Sequence, residues 1–385
     1  MEKYFENPDG WYDAVQKLKT TDALLDFFKR TFDTSPFPPD FAESAGVMDT
    51  MFNLLENLEN EFRFEDFREL QQIIKEKQPE FYQKDGIYFV EGLLRFSLAN
   101  DNIEEAKKLF EDVVNSDAPN ESIETFLDIL KLISWYNGTE KWMSDIIHKI
   151  YEPIKNDSNI FETVNVDLSE YLFAYQMQLA YQDFLEKGTL DIIPYLDYLK
   201  TFDFEFDEET KQSFQKWLVS PFDLQELMSY QLSNQRYFSS MLITYFSKYL
   251  FDAKQTSFIV ASNVAAKMFE FWHDEKRQIK SFELTGKKFD KFLSKQISFM
   301  GGDYASIFGV AVGSIYMYDF LKNIDFIDNK THENACSGID EVLGMVSKMN
   351  KTTIYRNSFF KFWDKPDTDS NGAFQELVSS VKLIG

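Results

Sequence analysis

The division into apolar and polar positions is sharpest between Ile87 and Val114, where the chain reads IYFVEGLLRFSLANDNIEEAKKLFEDVV. The first arm is almost wholly apolar as far as Ala99. Asn100, Asp101 and Asn102 then interrupt it with residues that favour turns and helix N-caps, and Asp101 with Glu104 approximates a capping box. In the second arm Ile103, Ala106, Leu109, Phe110, Val113 and Val114 recur on one stripe, while Glu104, Glu105, Lys107, Lys108, Glu111 and Asp112 face away. This pattern predicts two helices joined by a short polar turn. A hairpin with one dry face requires neighbours to cover it.

The same reading extends along the chain. Gly10 to Arg30 predicts a helix, and Thr34 to Asp40 excludes one because three prolines interrupt it. Met48 to Gln78 follows. Its second half, FRFEDFRELQQIIKEKQPE, lies over NDNIEEAKKLFEDVVNSDAP at an offset of 39, which pairs Phe64 with Ile103, Phe67 with Ala106, Leu70 with Leu109 and Ile74 with Val113. A third copy at Thr139 to Ile150 puts Trp142 at the Ala106 position at an offset of 36. Periods of this size point to stacked helical pairs. Leu168 to Glu186 is a long apolar-aromatic helix ended by Lys187-Gly188, and Ser220-Pro221-Phe222-Asp223 has the composition of a helix start. Further helices are expected over Tyr237 to Phe251 and Ser257 to Trp272. The acidic stretch TFDFEFDEE, residues 201 to 209, reads as a connector and places a domain boundary between 200 and 210.

Residues 87 to 119 resemble a tetratricopeptide repeat, and the likeness extends mainly over residues 48–150. Leu93, Ala106 and Phe110 fall where that motif has its leucine, its second-helix alanine and its phenylalanine, and Pro79 falls at the terminal proline of the preceding copy. Leu94 stands in place of the usual small residue and Ser97 in place of the usual tyrosine. The alanine position becomes Phe67 and Trp142 in the neighbouring copies, so the expected packing is a looser array of helical pairs. The resemblance implies a superhelix that binds a partner in its concave face, and it carries no catalytic residues.

Composition narrows the class. With 44% hydrophobic and 17% aromatic residues, 40 of them Phe, the chain is globular, and aromatic stacking is expected between its helices. Only 15 Gly and 10 Pro leave little punctuation for many short strands. The fold expected is all-α: stacked antiparallel hairpins over residues 1–200, followed by an aromatic-rich helical region over 210–385 that is either separate or continuous with it. A net charge of −24 argues against nucleic acid or an anionic membrane as partner. Acidic and basic side chains are equal in number over residues 251–385, so the whole excess lies before them. One cysteine, Cys336, excludes an internal disulfide and fits a reducing compartment. The start, MEKYFENPDG, lacks the basic and apolar regions of a secretory signal, and the longest uncharged apolar run, Tyr304 to Tyr318, suits a buried core helix better than a membrane span. A cytoplasmic location is expected.

Four stretches hold candidate chemistry. Between Lys276 and Lys295 the residues Lys276, Arg277, Lys287, Lys288, Lys291 and Lys295 form a cationic ridge, with Phe289, Phe292, Leu293 and Ile297 on another face. In an acidic chain this ridge suits an acidic partner, a phosphate or the chain's own N-terminal half, and the plain reading is a solvated helix face. In THENACSGIDE, His332, Cys336 and Asp340 follow at intervals of four, a spacing compatible with metal ligation or with His332 acting as base to Cys336. The competing reading is a small buried cysteine near a helix start, because eight residues drift by about 80° around a helix. Gly309 and Gly313 mark a helix closely approached by another. In FWHDEKR, His273 is flanked by acids that point elsewhere on a helix, and His148 among Ile146, Ile147 and Ile150 reads as structural. No GxGxxG, GxxxxGK[ST], HExxH, GxSxG or CxxC motif occurs. No cofactor or metal is implied. The favoured function is a non-catalytic intracellular scaffold or adaptor that binds a protein or peptide. An enzyme or ligand sensor with a pocket among the C-terminal helices, and self-assembly of the ridge on the acidic half, stand as alternatives.

Overall fold

The computed structural model describes residues 2–34, 36–38, 40–114, 123–155, 162–273, 279, 281–298, 301–302, 304–352, 357–368 and 372–381. These residues are overwhelmingly helical, so the all-α expectation holds. They divide into two compact units, the first within residues 1–129 and the second within 130–382. The expected boundary between 200 and 210 falls inside the second unit.

The first unit contains α1 (Glu2–Phe5), α2 (Pro8–Gln16), α3 (Thr21–Phe32), α4 (Phe41–Ser44), α5 (Val47–Asn60), α6 (Phe64–Lys77), α7 (Pro79–Ala99) and α8 (Ile103–Val114). The single helix expected over Gly10 to Arg30 is two, because the Thr20 hydroxyl accepts the Ala23 N–H and caps a new start. Trp11, Phe28 and Phe32 are wholly buried in its core. The Trp11 ring meets Phe28 and Phe41 edge-on at 81° and 83°, and its N–H donates to Thr31 Oγ1 at 3.2 Å. The proline-rich segment is tied down by buried Gln78, whose Oε1 accepts the Phe37 N–H at 2.8 Å and whose Nε2 donates to the Phe32 carbonyl at 3.0 Å.

Two turns in this unit share one hydrogen-bond pattern. After α5, Phe62 adopts a left-handed φ of 56°, its N–H bonds the Glu59 carbonyl, and the Arg63 N–H bonds that of Leu58. After α7, Asp101 has φ 62°, with Asp101 N–H to Leu98 O and Asn102 N–H to Ser97 O. Both are Schellman C-caps. The following helix is capped by Asn102 rather than Asp101: its Oδ1 accepts the Glu105 N–H at 3.3 Å while its Nδ2 donates to the Glu105 carboxylate at 2.8 Å. With Asp101 already committed to the left-handed cap, the N-cap role moves one residue on. At the alanine position Phe67 is buried. A Cβ on Gly92 of α7 would lie 2.9 Å from Phe67 Cζ, so the glycine supplies the space.

Helix α9 (Ile123–Ile133) crosses the limit between the units. The second unit holds α10 (Glu140–Lys155), α11 (Glu162–Lys187), α12 (Ile193–Lys200), α13 (Glu208–Val219), α14 (Leu224–Ser233), α15 (Gln235–Lys254), α16 (Phe258–Trp272), α17 (Gly286–Ser294), α18 (Tyr304–Asn323), α19 (Asn329–Thr352) and α20 (Ala373–Ser380). A two-residue antiparallel pairing joins Ile297–Ser298 (β1) to Gly301–Gly302 (β2). In the proposed third repeat copy Trp142 is only half-buried, and Met143 takes the inward position. The start expected at Ser220 moves to Asp223, whose side chain accepts the Glu226 N–H, because Ser220 still closes α13 by bonding Lys216 O. Asp303, which follows Gly301-Gly302 and whose side chain type suits an N-cap for the next helix, lies outside the described residues.

Helix α18 is the centre of this unit. Among the described residues it is the one helix long and apolar enough to span a membrane, and 94% of its apolar window is buried within the protein. A Cβ at Gly309 would collide with the Trp135 indole and one at Gly313 with the Val264 side chain, so both glycines mark close approaches, as their spacing implied.

Candidate functional site

The Asp328 side chain accepts the Thr331 N–H at 2.7 Å and opens α19, which places His332 and Cys336 one turn apart on the same stripe. Helix α18 ends in another Schellman turn, with Asp325 at φ 53°, and its last turns lie beside the first of α19. The third member of the cluster is therefore Asp319 rather than Asp340. His332 Nε2 is 3.0 Å from Asp319 Oδ1 and 3.5 Å from Cys336 Sγ. The other Asp319 oxygen accepts the Thr368 N–H at 3.0 Å. Asp340 lies a turn further on and acts on Cys336 through its charge.

Nothing in this arrangement activates the thiol. Burial, reinforced by the negative charges of Asp319 and Asp340, pushes Cys336 up to about 12, so the sulfur stays protonated at neutral pH and is a poor nucleophile. The imidazole nitrogen, thiol and carboxylate lie within 4.8 Å of one another and are ligand types that suit zinc. A closed tetrahedral site needs a fourth ligand, and among the described residues the cluster has three. As it stands it joins α18 to α19 and pairs a carboxylate that is 2% exposed. Sequence reasoning missed Asp319. The available signal was a lone carboxylate inside an apolar run, which must be paired if the helix is buried.

On α17, Phe289 and Leu293 are buried while Lys287, Lys288, Lys291 and Lys295 are exposed. None of these four makes an ion pair with a described residue, in contrast to Lys29, Lys75, Lys107 and Lys211. Lys276 and Arg277 lie outside the described residues. His273 closes α16, its N–H bonding Phe269 O, and His148 is exposed with its ring edge-on to Phe202.

The first unit carries a different surface, formed by α5 and α7. Phe52, 44% exposed, meets Tyr88 edge-on at 5.2 Å. One to two turns further along the same helices Glu56, Glu59 and Glu91 come together, with Arg95 bonded to Glu91 Oε1 through Nε at 3.0 Å and Nη2 at 2.7 Å. Burial pushes the Glu59 carboxyl up to about 7; Arg95 opposes the shift, and Glu91 and Glu56 add to it. No family model, curated protein or solved structure matches this chain, and the functional reading therefore rests on these surfaces alone.

Proposed function

We propose that this protein is a non-catalytic scaffold or adaptor whose first unit is a short helical-hairpin repeat array that binds a basic segment of a partner protein. The observation that carries the reading is the face of α5 and α7. Its neighbours support the repeat: the turns at Phe62 and Asp101 are 39 residues apart and share one cap geometry. The helices that follow them are joined by Arg68 to Glu105 at 2.9 Å and Lys75 to Asp112 at 3.3 Å, both separated by 37 residues. A constant separation means that α6 and α8 run parallel, as the second helices of successive repeats do. The first helices, α5 and α7, are then left with an aromatic pair set among carboxylates. Arg95 is neutralised by Glu91, so the face favours a cationic occupant with an apolar anchor for Phe52 and Tyr88.

The lysines of α17, which make no ion pair with a described residue, form a second candidate attachment surface of opposite sign that suits an acidic partner. Affinity capture from lysate tests both surfaces, with wild type compared against Phe52→Ala/Tyr88→Ala and against Glu at Lys287, Lys288, Lys291 and Lys295. All three proteins are first checked for equal thermal stability. Loss of a discrete basic partner with the first variant supports the reading. A partner retained by both variants rejects these surfaces, and wild type that captures nothing counts against the scaffold.

A further inference from the structure

In the second unit a cavity of about 350 Å³ lies among α11, α13, α15 and the 204–206 stretch. Its walls are aromatic. Phe173 stacks on Phe204 and Phe206 at 28° and 27°, while Phe214 stands across Phe173 at 66° and Trp217 stands across Phe214 at 79°. The Trp217 indole is 1% exposed, and its N–H has no acceptor among the described residues. Trp11 and Trp272 find theirs in Thr31 and Tyr318, whereas the Trp363 N–H shares the deficit but does not line this cavity. The Lys248 ammonium, lying over the Tyr245 ring, donates to the Trp217 backbone carbonyl at 2.9 Å and anchors the main chain at the end of α13. Arg236 also lines the cavity. It is exposed and makes no ion pair with a described residue, although its charge acts on Asp207.

We propose that this cavity binds a small planar aromatic monocarboxylate. The ring lies among the phenylalanines, one carboxylate oxygen accepts the Trp217 N–H, and Arg236 balances the charge. Buried polar groups in a pocket otherwise lined by rings fix orientation and class, and the volume admits one or two rings. A quaternary ammonium also suits an aromatic cage, but it leaves the indole N–H without an acceptor and sets a cation beside Arg236. Glu170 and Glu205 line the same cavity and repel any anion, so the carboxylate is placed on the Arg236 side and a second carboxylate has no cation of the lining left to meet.

The test uses the full chain with ¹⁵N-labelled tryptophan. The Trp217 indole signal is identified by its absence in Trp217→Phe, or by its shift in Phe214→Leu if that variant does not fold. Benzoate and indole-3-carboxylate are expected to move this signal saturably, and tetramethylammonium is not. Calorimetry is expected to show about tenfold weaker binding of the acid to Arg236→Gln, the loss of one charge-assisted contact. The proposal is overturned if neither acid moves the signal at millimolar concentration, if the ammonium ion moves it instead, or if Arg236→Gln binds the acid as tightly as wild type.

Discussion

Among the side chains whose surroundings oppose their ordinary ionisation, Glu59 and Cys336 each yield a measurement. Glu59 is held among Glu56, Glu91 and the apolar surface of α5 and α7, and its carboxyl titrates near 7 in the folded protein, against 4.5 ordinarily. Between those values the folded state binds more protons than the unfolded state, so the contribution of Glu59 to stability falls as pH rises from 4.5 to 7. Glu59→Gln, neutral at every pH, should raise stability at pH 8 by about 1 kcal/mol, discounted for partial exposure, and leave it little changed at pH 4.5. Urea unfolding of both proteins at the two pH values checks this; equal effects at both would assign the change to packing. Cys336 is pushed up to about 12 and is 5% exposed, so iodoacetamide at pH 8 should label it only after denaturation. Rapid labelling of the native protein would revive His332 as an activating base. The i,i+4 pairing of His332 with Cys336 was legible in the sequence because helical spacing alone sets it. Asp319 and Glu59 were not, since their neighbours come from a second helix whose register only packing decides.

Helix positions were largely readable from apolar periodicity, whereas the points at which helices stop were readable only where glycine or proline marks them. Gly188, at φ 71°, ends α11 where the Lys187-Gly188 pair predicted. Five further helices end on a left-handed residue without glycine's freedom: Phe62, Asp101, Asp203, Gln255 and Asp325. The backbone demand is identical, but a phenylalanine gives no signal of it, which is why the break between α5 and α6 is invisible in the sequence. Likewise the role of Gly92 depends on the tip of Phe67, a contact that no local pattern encodes. Asp325 isolates the cost of the turn, because it is exposed and sits at φ 53°. Asp325→Gly should raise stability by about 0.5 kcal/mol, the relief of the left-handed conformation less the added freedom of the unfolded chain, and Asp325→Val should lower it by about 1 kcal/mol or more. Thermal unfolding of the pair checks this, and the opposite order would mean that the turn is not held left-handed in solution.

At the scale of the whole molecule the question is which electrostatic effect dominates, local pairing or net repulsion. Many lysines lie in short-range pairs such as Lys141 with Asp145, Lys187 with Asp183 and Lys200 with Asp197, with lysine side chains 77%, 61% and 52% exposed. Exposed pairs of this kind contribute little to stability and weaken in salt. Against them stands a formal charge of −24, all of it arising before residue 251. Repulsion among unpaired carboxylates acts over distances that salt shortens, since the Debye length falls from about 30 Å at 10 mM to about 8 Å at 150 mM. Screening therefore removes more repulsion between distant acids than attraction within pairs in contact. The melting temperature at pH 7.5 should rise by about 2 °C between those two salt concentrations. A fall would show that the ion pairs joining α6 to α8 and α3 to α6 carry more stability than exposed pairs usually do. The same experiment isolates the repulsion, because the lysines of α17 make no ion pair with a described residue and their reversal, which makes an already acidic chain more negative, should steepen the salt response through repulsion alone. Reversing Arg68 and Lys75 should weaken the unit they hold together and steepen the salt response by adding to the repulsion.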